Sequence, residues 1–232
     1  MCRAGEVRLW SRNGKDFTAK FPDIQAAVAE QVSTACVLDG ELLVWTGDRM
    51  DFDALQQRMV NTAATVRRRL APAQPASLVV FDVLAVGNVD VRPMRWTSRR
   101  GRLESLAVAW RPPLQLSPVT TQLAEAREWL EAFKTSGVEG LVVKGASSRY
   151  QPGRREWVKV NSVGVDSVAE ARRGTVVRGQ AAVRVLPAVR DRCRGRVVVG
   201  RCRAWSRTRG SGGVEARTLR SATAQLRHVD RR

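Results

Sequence analysis

The side chains able to do chemistry in this chain are few in kind. Its single histidine, His228, lies close to the C-terminus, and its four cysteines, Cys2, Cys36, Cys193 and Cys202, are scattered with no C-x-x-C pair. That excludes most Ser-His-Asp, Cys-His and multi-histidine metal chemistry, and it suggests neither a zinc site nor a disulfide framework. Any catalysis must run on Lys, Arg, Asp, Glu and a divalent ion. Such residues fall in five short blocks: SRNGKD (11–16), LDGELLVW (38–45), VVFDVL (79–84), EGLVVKG (139–145) and WVKV (157–160). Taken singly, each has a bland reading: a hairpin turn, a surface Asp-Gly turn, a core phenylalanine, a helix-end charge, a strand-edge lysine.

The elements that must hold these blocks alternate between strand and helix. Val7 to Trp10 reads as a short strand before an Asn-Gly turn. Pro22 opens a helix whose Ile24, Val28 and Val32 share a face. Cys36 to Trp45 is a strongly apolar strand or strand pair around Asp39-Gly40. Asp51 caps a helix running to about Leu70, with Leu55, Met59, Ala63, Val66 and Leu70 inward, ended by Pro72 to Pro75. Leu78 to Val86 is a buried strand, Arg99 to Leu106 a helix, Thr121 to Thr135 an amphipathic helix, and Val138–Lys144 and Glu156–Val160 two further strands.

With 232 residues there is room for one substantial domain and a smaller piece, and a 44% hydrophobic content excludes wholesale disorder. The formal net charge is +18. It concentrates in residues 165–232, which hold 17 arginines, five acidic residues and no lysine. Basic character favours a polyanionic partner such as nucleic acid, without specifying sequence. The opening MCRAGEVRLW has no apolar signal core, and the run from Leu78 to Val86 is interrupted by Asp82 and too short to span a bilayer. No membrane partner is expected, and the cysteine usage fits a reducing, cytoplasmic (bacterial, nucleoid-associated) setting.

In this order the five blocks resemble the ATP-dependent DNA ligases of the covalent nucleotidyltransferase superfamily, most of all bacterial ligases of the small, repair-associated kind. The resemblance covers about residues 3–163 and includes RRGRLESL (99–106) and SSRYQPGRR (147–155). It implies an α+β fold: a ligase-type nucleotidyltransferase domain of antiparallel sheets flanked by helices over residues 1–163. Residues 164–232 then form an irregular or disordered Arg-rich tail where an OB-fold domain would stand. It also implies ATP (AMP), Mg²⁺ or Mn²⁺, a monomer, and nicked duplex DNA as partner, with roles in repair, recombination and replication. Carried over block by block, Glu41 holds the ribose or helps with metal, Phe81 stacks on adenine and Glu139 binds the catalytic metal. Lys144 and Lys159 contact nucleotide phosphates, with Lys159 on the α-phosphate, and Arg12 meets the phosphate of the nicked strand. The physics agrees: nick joining gathers almost only negative charge, so cations must line the phosphates, carboxylates must hold the metal, and an aromatic face must take the base.

Three departures stand beside this resemblance. The family's nucleophile is a lysine in K-x-D-G, whose amine attacks the α-phosphorus of ATP. The five lysines here, Lys15, Lys20, Lys134, Lys144 and Lys159, include none in that setting. The expectation is a chain beginning just after that lysine and unable to self-adenylate. Asn161 stands where relatives carry a second lysine, which removes a charge. The late basic motif is unrecognisable in a tail that reads like an out-of-frame translation of GC-rich sequence, the rival being a genuine Arg-rich arm that folds on nucleic acid. Other readings are a non-catalytic DNA-binding fragment, and an RNA ligase or capping-type nucleotidyltransferase.

Overall fold

A computed structural model describes residues 6–11, 14–132, 136, 138–152, 157–161 and 181–187. The N-terminal segment buries Val7 and Leu9. It then turns back at Ser11–Asp16, where Gly14 has a positive φ of 71° and a single bridge joins Trp10 to Asp16. The strand expected at Val7–Trp10 reduces to that one bridge. Helix α1 (Pro22–Gln31) starts with Pro22, whose missing N–H costs nothing there, and buries Ile24 and Val28, with Val32 buried just beyond its end.

Strand β1 (Cys36–Thr46) turns at Gly47 into β2 (Arg49–Met50). The Asp51 carboxylate caps α2 (Phe52–Val60) by accepting the Ala54 N–H at 2.8 Å. The helix expected to run on to Leu70 is broken at Asn61 and Thr62, which are extended. Thr62 caps a fresh start, α3 (Ala63–Thr65), which passes through a π turn (Val66–Leu70) into α4 (Ala71–Ala73). In that turn the Ala71 N–H reaches back to the Val66 carbonyl, next to Pro72, which has no N–H to give. The break corrects the expected stripe: Val66 is buried but Ala63 is exposed.

Strand β3 (Ala76–Val86) turns at Gly87 into β4 (Val89–Asp90), and α5 (Trp96–Ala107) leads to β5 (Leu114–Leu116). These strands form one sheet in the order β2-β1-β3-β4, with β5 parallel to β3 and the other pairs antiparallel. Helices α1, α2 and α5 enclose its core, which includes Leu38, Leu42, Leu78, Val80, Val83 and Leu103.

Strand β6 (Val119–Thr120), α6 (Leu123–Ala132), β7 (Val138–Gly145), β8 (Val158–Asn161) and β9 (Ala181–Pro187) build a second, antiparallel sheet in the order β6-β9-β7-β8. Ala126 and Leu130 of α6 pack there on Leu141, Val143 and Val160. The α+β architecture of antiparallel sheets flanked by helices is the expected one. Its tail differs in one stretch: Ala181–Pro187 is a strand along the whole length of β7. Its run of Val183, Val185 and Leu186 supplies enough β-forming residues to pair locally, although no long periodicity announces it.

An ion pair on a buried arginine fastens the first sheet's outer helices. Arg58 of α2 binds Asp23 of α1 through two bonds of 2.8 and 2.9 Å, and also donates to the Gln74 carbonyl. Asp23 takes the Ala76 N–H as well, and the guanidinium lies over the Phe21 ring.

Candidate active site

Strand β1 alternates strictly. Cys36, Leu38, Leu42 and Val44 face the main core, so Val37, Asp39 and Glu41 fall on the opposite side. Strand β3 does not alternate. Its register with β1 skips at two places, so that Asp39 stands opposite Asp82 but Gly40 opposite Val80, and Leu38 opposite Val83 but Val37 opposite Ala85. Phe81 and Leu84 are the extra residues at these bulges. The core positions of β3 therefore run Leu78, Val80, Val83 and Val86. Between them Phe81 and Asp82, two consecutive residues, are both delivered to the side of Asp39 and Glu41. Gly40 is required here: a Cβ would lie 2.8 Å from the Val79 carbonyl oxygen and 3.0 Å from a Leu78 methyl carbon.

The second sheet meets this surface through β7 and the loop after it. Lys144, only 1% exposed, donates from Nζ to Asp82 Oδ2 at 3.2 Å. The same carboxylate accepts from Arg99 of α5, at 2.8 Å from Nε and 3.1 Å from an Nη. Burial alone would raise the Asp82 carboxyl, but the Lys144 ammonium and the Arg99 guanidinium outweigh it and hold the group below the ordinary carboxylate range. The Lys144 Nζ also lies 3.8 Å from the Trp157 ring centroid and 5.0 Å from that of Phe81. These two rings stand edge to face at 6.3 Å. Tyr150 packs on Trp157, lies beneath Arg99, and donates its hydroxyl to Asp39 at 2.7 Å.

The main chain closes the same seam. The first N–H groups of α5, from Trp96 and Thr97, donate to the carbonyls of Ser148 and Ala146, and the Tyr150 N–H donates to Arg92. Helix α5 is thus capped by the loop from the other sheet.

Of the residues expected from the blocks, Phe81 and Lys144 come together, and Glu41 lies on the same face of the first sheet, buried at 8% exposure. Lys159 stands opposite Val142 in the β7–β8 ladder, two positions from Lys144 in register. Glu139 lies on β7 where its pairing with β9 shifts. Arg12 lies outside the described residues. Lys144 is buried, and its ammonium meets a carboxylate and two rings. Sequence reasoning missed Asp82, Arg99, Asp39, Tyr150 and Trp157. The available signal was Asp82 itself: an acid inside the apolar run LVVFDVLAV must be paired if it is buried.

The arrangement has stacking faces, a buried carboxylate in Glu41 and fixed cations. Mg²⁺ is ordinarily held by one or two protein carboxylates together with substrate phosphates, and Glu41 is a buried carboxylate of the kind such an ion takes. Among the described residues no cluster of three or more His, Cys, Asp or Glu could hold a metal without such a substrate. Cys36 is no nucleophile, since burial pushes its thiol up to about 12. Among the described residues no helix is long and apolar enough to cross a membrane.

Comparison with known proteins shows what the chain is similar to. The family model described as ATP dependent DNA ligase domain matches residues 1–161. DNA ligase C2 of Mycolicibacterium smegmatis is 36% identical over 155 residues, covering 67% of this chain and 44% of that protein. DNA ligase C of Mycobacterium tuberculosis is 35% identical over 159 residues, with the same coverages. Among solved structures, the ligase domain of M. tuberculosis LigD superposes with a TM-score of 0.50 at 30% identity, over 68% of this chain and 48% of that one. A mycobacterial DNA ligase D complexed with ATP and MES superposes equally, at 29% identity, over 69% and 49%. The chain spans less than half the length of these curated relatives.

Proposed function

The chain belongs to the ATP-dependent DNA ligase domain family, and on that premise we propose that it carries the nucleotide-binding half of a nick-sealing reaction. Phe81 stacks on adenine, and Glu41 holds the ribose or shares a Mg²⁺ or Mn²⁺ with Glu139. Lys159 meets the α-phosphate, and Arg12 meets the phosphate of the nicked strand. The metal, when bound, neutralises phosphate charge as it develops. The observation that carries the reading is the bulged β3, which turns Phe81 and Asp82 onto the face shared with Glu41 and beneath β7.

None of the five lysines stands in K-x-D-G, so the 232-residue chain is read as unable to form lysyl-AMP. It retains the last step. The 3′-hydroxyl oxygen of a nick bonds to the adenylated 5′-phosphorus, the phosphoanhydride bond breaks, AMP leaves with the electron pair, and the hydroxyl proton passes to solvent. The test is direct. Labelled ATP with Mg²⁺ leaves no covalent AMP on the protein, while a pre-adenylated nick is joined slowly. A covalent adduct contradicts the first claim, and an unjoined pre-adenylated nick the second.

The arginines of residues 165–232 favour a second reading, a DNA-binding fragment without catalysis. Salt-dependent DNA binding with and without residues 188–232 separates the two. The cut belongs after Pro187 because β9 completes the second sheet. If the arginine-rich stretch carries nearly all binding and no nick is joined, the second reading holds.

A further inference from the structure

We propose that Lys144 is a positioning residue for the base-stacking wall rather than a ligand of the nucleotide's phosphates. This rests on the nucleotide-site reading above and assigns one of its residues a different task. A phosphate ligand must bring its ammonium to the substrate. Lys144 has committed its ammonium elsewhere: Nζ is 3.2 Å from a carboxylate oxygen of Asp82, 3.8 Å from the Trp157 centroid and 5.0 Å from the Phe81 centroid, and the residue is 1% exposed.

The cage around it is rigid. Asp82 is gripped from its other side by both ends of the Arg99 fork, and Arg99 is itself held by the carbonyls of Met94 and Ser148. A cation shared by two rings fixes both, because each ring gains most with its face toward the charge, and the gain grows as water is excluded. Phe81 is the extra residue of a bulge and has no partner in the β1–β3 register. The ammonium, carried on β7 of the other sheet, supplies a constraint from outside. Lys144 thus sets the plane against which a base would stack and ties that plane to the second sheet.

Titrating adenosine, AMP, ADP and ATP (with Mg²⁺) against the full chain separates the two roles. The wild type, Lys144→Met and Lys144→Arg are compared well below their melting temperatures. A positioning role predicts that Lys144→Met weakens all four ligands by one common factor, about tenfold. Lys144→Arg, which keeps a cation over the rings and a donor for Asp82, restores most of the loss. A phosphate ligand predicts a loss that grows with phosphate number and leaves adenosine unchanged, and that result overturns the proposal. Should Lys144→Met lose its cooperative melt, the bulkier Lys144→Arg alone carries the distinction, through a uniform or a graded change across the four ligands. A wild-type chain that binds none of the four overturns the nucleotide site itself, and this role with it.

Discussion

The molecule buries two arginines on two aspartates, and it uses them differently. Arg58 and Asp23 form a closed pair. Every further bond, to the Gln74 carbonyl and from the Ala76 N–H, stays within the outer helices and the start of β3. Arg99 and Asp82 form an open one, because Asp82 also holds a lysine from the other sheet and that lysine holds two rings. The same bidentate chemistry thus closes a core in one place and joins the two sheets in the other. A buried ion pair by itself says nothing about function; the partners beyond the pair do.

The largest effects come from opening each pair. Arg99→Met should cost about 3–5 kcal/mol in chemical denaturation, since it breaks a fully buried pair, and Arg58→Met less, because the Asp23 side chain keeps 18% exposure. Only Arg99→Met should also weaken adenosine binding when both variants are still folded. Equal loss of adenosine affinity in the two would erase the contrast. Gly40→Ala comes next, at about 1–3 kcal/mol, because its new Cβ meets backbone that cannot yield cheaply. As Gly40 lies opposite the Phe81 bulge, melting temperature and adenosine affinity should fall together, and affinity that survives the destabilisation would detach the bulge from the site.

The smallest effect serves as a baseline outside both pairs. Asp51→Ala should cost about 1 kcal/mol and leave adenosine binding alone. The hydrogen bond from Ala54 chiefly, and that from Thr46 next, hold the Asp51 carboxyl below its ordinary range. Because its folded-state value is depressed, its contribution is whole above about pH 4 and disappears as pH falls through the lowered value. Unfolding curves of the wild type and Asp51→Ala should therefore converge on acidification. Asp82 is depressed in the same direction, so acid also withdraws stability from the seam in both proteins.

Elements whose signal is local were legible in the sequence. Pro22 and the Ile24, Val28 and Val32 stripe gave α1, and Asp51 gave the start of α2. The continuous helix to Leu70 failed because Thr62, another good cap, sits inside the stripe and restarts the chain. Of the residues in the five blocks, the structure brings Phe81 and Lys144 together and sets Glu41 on the same face of the first sheet. What stayed hidden was non-local. Nothing near Arg99 in sequence says that its guanidinium is wholly buried, because its partner lies on another strand. Nor does VVFDVL reveal its bulges, because its apolar composition tolerates any register. Nor does EGLVVKG say that Lys144 will meet Asp82 and the rings of Phe81 and Trp157, which come from other strands and from the loop after β7.

The bulge at Phe81 has a consequence for heredity. Removing that one codon would restore simple alternation from Leu78 to Val83, with Val83 reaching the interior at the next even-numbered position and the second bulge, at Leu84, left in place. An in-frame deletion there is thus a way for a lineage to give up the proposed base contact while Leu78, Val80 and Val83 keep their places in the interior. Ornament and frame are encoded separately here, although they share a strand.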